Sequence, residues 1–197
     1  MKYGIFFTYK TTQRKIRYKT NKNILLKAFL IISILQNIKN SEIHLIIQGS
    51  GNQKILGNGF GYTPSEVLVN GVEDNSCSKI CNLQGDKNNI TLRFNGEITS
   101  CRSMFNSVKN ITEIDLSNFD FSKVEDLSFM FDSCINLEKI EFGNINTSSV
   151  TTMLCMFQGC KKLKSIDFSK FDTSKVTDMS YMLSDCSSLE KIEFGNI

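Results

Sequence analysis

The chain has 197 residues with no Trp, one Pro and seven Cys, and its 23 Lys and Arg against 20 Asp and Glu give a net charge of +3. Nine of the basic residues lie in the first 40 positions, so the remainder has 14 basic and 20 acidic residues, a net charge of −6. A nucleic-acid-binding domain concentrates basic residues on its folded part, so this distribution argues against a nucleic-acid partner.

The N-terminal segment is predicted to be a leader. Residues 1–23 carry seven basic residues and no acidic one, and the apolar run ILLKAFLIISIL follows at 24–35. A basic head before a short apolar stretch is typical of a secretory signal, and the run is shorter than the ~20 residues that span a bilayer. We therefore predict a signal peptide or signal anchor over residues 1–41 and a secreted or cell-surface location. A cytosolic protein with a non-functional leader is the alternative.

Residues 42–97 are predicted to form a β-rich N-terminal cap. The segments IHLIIQG, SEVLVNG and ITLRFNG are rich in β-branched or alternating apolar residues, and each ends in Gly, as short strands do. Cys77 and Cys81, spaced C-x3-C, and Cys101 are candidate disulfide cysteines. Spacing alone does not decide which two of them pair.

A 26-residue repeat begins near residue 98. The pair Met-Phe, or Met-Leu in the last unit, recurs at this interval, and Val, Leu and Ile positions follow the same step. Such a period indicates a repeat architecture. The pairs are Met104/Phe105, Met130/Phe131, Met156/Phe157 and Met182/Leu183. Residues 98–197 are assigned to the array, whose last repeat is incomplete.

Each unit is predicted to contain one strand, followed by a short helix or a helical turn that returns the chain. Leu163, Ile166, Phe168 and Phe171 follow the spacing of the strand half of a leucine-rich repeat. In the second half of the same unit, Val176, Met179 and Met182 are three residues apart, which is helical spacing. Stacked units would share one core. The predicted fold class is α/β, a leucine-rich-repeat solenoid with 26-residue repeats preceded by the β-rich cap.

The segments NFDFSKVEDLSFMFDSC and KFDTSKVTDMSYMLSDC, with the linking LEKIEFGNINTSSVTTM, resemble the BspA-like leucine-rich repeats, also described as a lipoprotein-associated repeat of unknown function. The resemblance covers about residues 98–197. It implies a surface-exposed protein used in adhesion or recognition, without a known catalytic centre.

Several candidate sites are weighed against structural roles. Asn89, Asn110 and Asn146 begin Asn-x-Ser/Thr triplets and are candidate glycosylation sites. Cys134, Cys160 and Cys186 occur one per unit and are predicted to be packed and reduced, because zinc sites favour paired Cys or His ligands. With His44 as the only His, no metal, cofactor or catalytic residue is predicted, and the chain is not expected to be an enzyme.

An acidic column is predicted on the outward face of the stacked strands. Its members are Asp115, Glu141, Asp167 and Glu193, and Glu113, Lys139 and Lys164 lie beside it. These seven residues form the predicted binding surface for a basic partner or a cation. The alternative is a solvated face inherited through duplication of the repeat.

The predicted function is a non-catalytic recognition or adhesion module that binds a protein or another macromolecular surface ligand on the concave repeat face. One alternative is a structural spacer or coat segment of a larger surface protein. Another is an intracellular leucine-rich-repeat scaffold. Membrane association could come through the leader or through a missing C-terminal region.

Overall fold

A computed structural model describes residues 41–195 of the chain. The predicted leader, residues 1–41, lies outside the described residues apart from Ser41. All described residues belong to one compact unit, Lys39–Ile197. None of residues 41–195 forms a helix, and accordingly none provides a helix long and apolar enough to cross a membrane.

Ten strands form three sheets in the described part of the chain. Their bounds are Ser41–Gln48 (β1), Gly51–Lys54 (β2), Glu66–Val69 (β3), Val72–Glu73 (β4), Ile80–Leu83 (β5), Lys87–Phe94 (β6), Ile111–Asn118 (β7), Lys139–Glu141 (β8), Ser165–Phe168 (β9) and Lys191–Phe194 (β10). The largest sheet has the order β4-β3-β6-β1-β7-β8. The other two pair β9 with β10 and β2 with β5.

β1 lies inside the six-stranded sheet because its sequence alternates and supplies a complete apolar face. Ile43, Leu45 and Ile47 are buried, and the residues between them are more exposed. β1 pairs antiparallel with β6 on one side and with β7 on the other. The three segments predicted as strands of the cap are β1, β3 and β6. Since β7 belongs to the first repeat, the sheet runs across the predicted boundary between residues 97 and 98.

The second half of each repeat is a run of β-turns, so the predicted helix is wrong. In the first unit, the N–H groups of Met104, Asn106 and Val108 donate to carbonyl oxygens three residues earlier, at 3.0–3.2 Å. Ser103 and Ser107 have positive φ, 56° and 57°. A right-handed helix needs an uninterrupted run of negative φ. A left-handed residue at every fourth position therefore excludes it.

The same turn run recurs in every unit. Positive φ returns every 26 residues at two positions, first Ser103, Phe129, Cys155 and Tyr181, then Ser107, Ser133, Gly159 and Asp185. Successive turns bring an apolar side chain inward every three or four residues, as a helix does. The spacing of Val176, Met179 and Met182 is therefore satisfied by turns, which is why it predicted the wrong element.

The predicted α/β leucine-rich-repeat solenoid is also wrong in its sheet. β7 pairs with β8 and β9 pairs with β10, both in parallel, but β8 and β9 belong to different sheets. A cavity of about 120 Å³ lies at this break, lined by residues of both strands and by Phe142, Ile145 and Phe171. The strands thus form an open mixed sheet and a separate pair instead of a continuous ladder.

Neighbouring units are joined through their turn runs. At the first junction four N–H groups donate to carbonyl oxygens of the next unit at 2.8–3.0 Å, and equivalent groups make four bonds at each of the next two junctions. The first four bonds run from Cys101 to Asp126, Ser103 to Ser128, Phe105 to Met130 and Ser107 to Asp132. Each turn run therefore has a donor edge, which carries these N–H groups, and an acceptor edge, which carries the carbonyl oxygens.

The predicted burial of the Met and Phe columns is confirmed in the first three units. Met104, Met130 and Met156 have no exposed surface, and neither do the Phe residues that follow them. The rings of Phe105 and Phe131 are stacked at 5.6 Å, and those of Phe131 and Phe157 at 5.1 Å. This column of parallel rings runs through the core of the repeats. In the last unit Met182 and Leu183 are only partly buried.

The repeat cysteines are free thiols, as predicted, and they also link the units. The Sγ atoms of Cys134, Cys160 and Cys186 donate to the carbonyl oxygens of Phe105, Phe131 and Phe157, respectively, at 3.1–3.2 Å. Each bond joins a unit to the one before it. Burial raises the pKa of Cys134 to about 12 and raises that of Cys160 as well. These thiols therefore stay protonated in the folded protein.

The end of β2 and the segment after it cover part of the acceptor edge of the first unit. The N–H of Gly57 donates to Met104 O at 2.6 Å, and Lys54 Nζ donates to Asn106 O at 2.9 Å. Ile55 and Leu56 are fully buried in the same core. This contact requires a glycine, because a Cβ at position 57 would lie 1.9 Å from Ser103 O. The cap thus satisfies backbone acceptors that would otherwise lack partners.

Gly57→Ala should lower the free energy of unfolding by about 2 kcal/mol, since the added methyl group forces the cap away from the first turn run. Gly61→Ala is the matched control, because nothing lies within 4 Å of the Cβ position there. We expect the control to change stability by less than about 0.5 kcal/mol. Urea denaturation measures both, and equal effects would contradict the proposed close contact.

Cys134 and Cys160 should resist iodoacetamide at a pH near 9 in the folded protein and react once guanidinium chloride unfolds it, because the thiolate is the nucleophile. Mass spectrometry of the alkylated peptides measures this.

The raised pKa of Cys134 also predicts that the stability of the protein depends on pH. The contribution of the protonated Cys134 thiol to the free energy of unfolding is fully present below the ordinary thiol pKa of 9.0. It is lost as the pH rises toward the folded-state pKa of about 12. The unfolding free energy of the Cys134→Ser variant should depend less on pH over this range than that of the unchanged protein. An equal pH dependence in the two proteins would contradict the raised pKa of Cys134.

Candidate binding surface

One side of the six-stranded sheet packs on the core, and the other presents polar and charged side chains. In the pairing register His44 of β1 lies between Thr91 of β6 and Asp115 of β7, and Glu141 of β8 follows Asp115. We call this side the outward sheet face. Its residues are Glu42, His44, Ile46, Glu66, Asn89, Thr91, Arg93, Glu113, Asp115, Lys139 and Glu141.

Arg93 lies between two carboxylates at one end of this face. Its Nε is 2.5 Å from Glu42 Oε2, and its Nη1 is 2.6 Å from Glu66 Oε2. The register creates this contact, because Arg93 of β6 is directly opposite Glu42 of β1 and Glu66 of β3. The hydrogen bond from Arg93 lowers the pKa of Glu42, and the two carboxylates raise the pKa of Arg93. Glu42 and Arg93 are therefore both charged at neutral pH.

His44 is hydrogen-bonded through both ring nitrogens. Its Nδ1 lies 3.1 Å from Thr91 Oγ1, and its Nε2 lies 3.0 Å from Glu42 Oε1. These contacts orient the imidazole across β1 and β6, and Glu42 joins it to Arg93. The arrangement positions a polar ring on an exposed sheet.

Beside His44 the face forms a shallow open groove of about 350 Å³. Its floor includes Ile46 and Asn89, and its far side is made by Asp115, Lys139 and Glu141. Lys139 Nζ lies 3.2 Å from Glu141 Oε1. The groove is wide and partly apolar, and carboxylates line its rim.

The predicted acidic column is not continuous. Asp115 and Glu141 are paired across β7 and β8, and Asp167 and Glu193 across β9 and β10. The break between β8 and β9 separates the two pairs. The pKa of Asp115 is lowered chiefly by its hydrogen bond with Ser117, and that of Asp167 is lowered in the same way by Ser169. In the second pair, Lys191 contacts Glu193 and its pKa is raised by that carboxylate.

The other predicted surface residues, Glu113, Lys139 and Lys164, are also separated by the break between β8 and β9. Glu113 is opposite Lys139 in the pairing of β7 with β8, so both lie on the outward sheet face. Lys164 precedes β9, and its carbonyl oxygen accepts a hydrogen bond from the N–H of Glu190 at 2.8 Å. The structure thus brings Glu113, Asp115, Lys139 and Glu141 together with residues of the cap. Asp167 and Glu193 lie in the second pair of strands, and Lys164 lies directly before it.

Of the three candidate disulfide cysteines, Cys77 and Cys81 are bonded to each other. Cys101 is free and buried, and burial raises its pKa. Among residues 41–195 no group of His, Cys, Asp or Glu side chains is arranged to hold a metal ion.

The candidate glycosylation sites differ in their surroundings. Asn89 is exposed on β6. Asn146 is exposed as well, and its Oδ1 accepts hydrogen bonds from the N–H and Oγ of Ser148, the third residue of its triplet. The side chain of Asn110 instead donates to Gln53 Oε1 at 2.7 Å.

Sequence reasoning missed Glu42, Glu66 and Arg93, which form the most connected charged cluster of the face. The available signal was the alternation of charged with apolar residues in β1, β3 and β6. Alternation shows that these side chains share an outward side of their own strands. It does not show which strand pairs with which, so the contact could not be inferred.

Comparison with known proteins relates the repeat region to one family. No curated protein and no solved structure matches the chain. These findings do not test the resemblance to BspA-like repeats, which stays a prediction. Residues 99–194 match the family described as Mycoplasma protein of unknown function, DUF285, and over that range the chain is similar to this family.

Proposed function

We propose that this chain is a non-catalytic recognition or adhesion module of a secreted or cell-surface protein, and that its outward sheet face binds a basic macromolecule. The observation that carries the proposal is the charge of this face. Five carboxylates stand there against one Arg and one Lys. They are Glu42, Glu66, Glu113, Asp115 and Glu141, against Arg93 and Lys139.

The negative charge is available to a partner. Arg93 is occupied by Glu42 and Glu66, so it neutralises only part of the cluster. Lys139 and Glu141 form an exposed pair, and such pairs contribute little stability. A basic side chain of a partner can therefore replace Lys139 at low cost.

The shape of the face supports a macromolecular partner. Small-molecule sites are usually enclosed and bury most of the ligand. The groove beside His44 is open and lies on an extended sheet. A peptide segment or a protein surface with several Lys or Arg residues fits this geometry better than a compact ligand.

Two features support export. The predicted leader is typical of a secretory signal, and the bond between Cys77 and Cys81 is of a kind that persists in oxidising compartments. The resemblance to BspA-like repeats implies the same setting. Under this proposal the partner would be met outside the cell.

A structural role, as a spacer or coat segment, is the second candidate. The observation in its favour is the regular bonding of neighbouring units. Four backbone hydrogen bonds run from the donor edge at each of three junctions, and a fifth runs in the opposite direction, from Glu125, Thr151 or Thr177. Such a segment needs no ligand. It predicts that changing the charge of the outward sheet face has no effect on binding of any partner.

The combined substitution of Glu113→Gln, Asp115→Asn and Glu141→Gln tests the binding face. These changes remove charge and keep side-chain size and hydrogen-bonding atoms. With a fluorescein-labelled deca-lysine peptide as the basic probe, we expect the Kd measured by anisotropy to rise about tenfold, the sum of several exposed charge contacts.

The matched control removes the same number of charges elsewhere, by Asp86→Asn, Glu97→Gln and Glu125→Gln. All three residues are exposed, and none of them lines the groove. We expect the control to change Kd less than twofold. Equal loss of affinity in both variants would mean that only net charge matters and would refute a specific face.

A further inference from the structure

His44 lies in the middle of the outward sheet face with its ring open to solvent. It is opposite Thr91 of β6 on one side and opposite Asp115 of β7 on the other. The ring lines the groove, and 44% of its side-chain surface is exposed. Imidazole is the side chain whose charge ordinarily changes between pH 5 and 8. The face therefore contains a group suited to change its charge near neutral pH.

Both contacts of the ring are compatible with either charge state. Glu42 Oε1 lies 3.0 Å from Nε2 and accepts from an N–H there, whether the ring is neutral or protonated. The Thr91 hydroxyl lies 3.1 Å from Nδ1. It donates to a bare ring nitrogen and accepts from a protonated one, because a hydroxyl is both donor and acceptor. A second proton on His44 thus requires only rotation of one hydroxyl, so the charge changes while the structure stays the same.

This proton changes the charge of the whole face. The charged groups around the ring are Glu42 of β1, Glu66 of β3, Arg93 of β6, Glu113 and Asp115 of β7, and Lys139 and Glu141 of β8. Five carboxylates against two cations give a net charge of −3, and a protonated His44 reduces it to −2. Hydrogen bonds lower the pKa of Glu42 and that of Asp115. These carboxylates therefore stay charged over the range in which an imidazole titrates.

We propose that His44 makes the binding of a basic partner sensitive to pH, with tight binding when the ring is neutral and weaker binding when it is protonated. The inference rests on the proposed function of the outward sheet face. A protonated ring places a positive charge in the groove, where it repels the Lys or Arg side chains of the partner. The coupling is reciprocal, so binding of the partner releases a proton from the ring.

The probe is a deca-lysine peptide that is acetylated at its N-terminus, amidated at its C-terminus and labelled with a rhodamine dye. Its Lys side chains, with an ordinary pKa of about 10.4, keep their charge throughout. The Kd is measured by anisotropy at about pH 8 and about pH 5.5, at one ionic strength. We expect the Kd of the unchanged protein to be about threefold higher at the lower pH, as for one exposed charge contact.

His44→Gln and His44→Lys separate the charge of the ring from its shape. Gln is neutral and Lys is positive at both pH values, so in each variant the two Kd values should differ by less than about 1.5-fold. At the higher pH the Lys variant should bind about threefold more weakly than the Gln variant. Circular dichroism at both pH values checks that each variant is folded.

Isothermal titration calorimetry provides a readout that needs no variant. In two buffers of different ionisation enthalpy at about pH 6.5, the binding heat should reveal release of a fraction of one proton for each peptide bound. Since His44 is the only His of the chain, the folded Gln variant should lose this release.

The outcomes distinguish this inference from the proposed function. Failure of the peptide to bind at the higher pH would refute the proposed function and this inference with it. Binding with equal Kd at both pH values would overturn the role of His44 alone, and so would absence of proton release. A folded Gln variant that keeps the threefold pH dependence would also overturn it. In these cases the outward sheet face would still bind the basic probe.

Discussion

The left-handed residues of the turn runs are the constraint on which the repeat region depends. In an α-helix the N–H groups are used within the helix, so none remains to join a neighbouring unit. A turn closed by a positive φ leaves alternate N–H groups free, and Phe105, Phe131 and Phe157 donate theirs along the stack. The units are thus held by main-chain hydrogen bonds as well as by the core. The regular interval of 26 residues follows, since an inserted residue would move the donors away from their acceptors.

This backbone has a conformational cost that the packing must offset. A non-glycine residue in the left-handed region costs about 1 kcal/mol or more, and Phe129 and Tyr181 occupy this region. Burial of the Met and Phe columns supplies the compensating free energy, at about 1.5–3 kcal/mol for each large apolar side chain. The balance explains why the core positions are large while the outward ones vary. It also explains the cap, because an uncovered first turn run would leave buried carbonyl oxygens unpaired.

The outward sheet face and the donor edge arise from different parts of the same molecule. The face depends on β1, which brings residues of the cap and of the first repeats into one sheet. Its chemistry is that of side-chain charge, so it suits a partner chosen by electrostatic complementarity. The donor edges depend on backbone direction, and each of the three that are paired joins its unit to the next one.

The repeat period, the burial of Met130, Phe131 and their equivalents, and the three main strands of the cap could be predicted from the sequence alone. These are local properties, set by which side chains must leave water. The sequence could not decide between a helix and a run of turns, because both bury a side chain every three or four residues. A glycine would have indicated a positive φ, but Phe129 gives no such indication. Nor could it place Arg93 between Glu42 and Glu66, or divide the column of Asp115 and Asp167 between two sheets. Those depend on strand pairing between distant segments, which only the packing of the whole core decides.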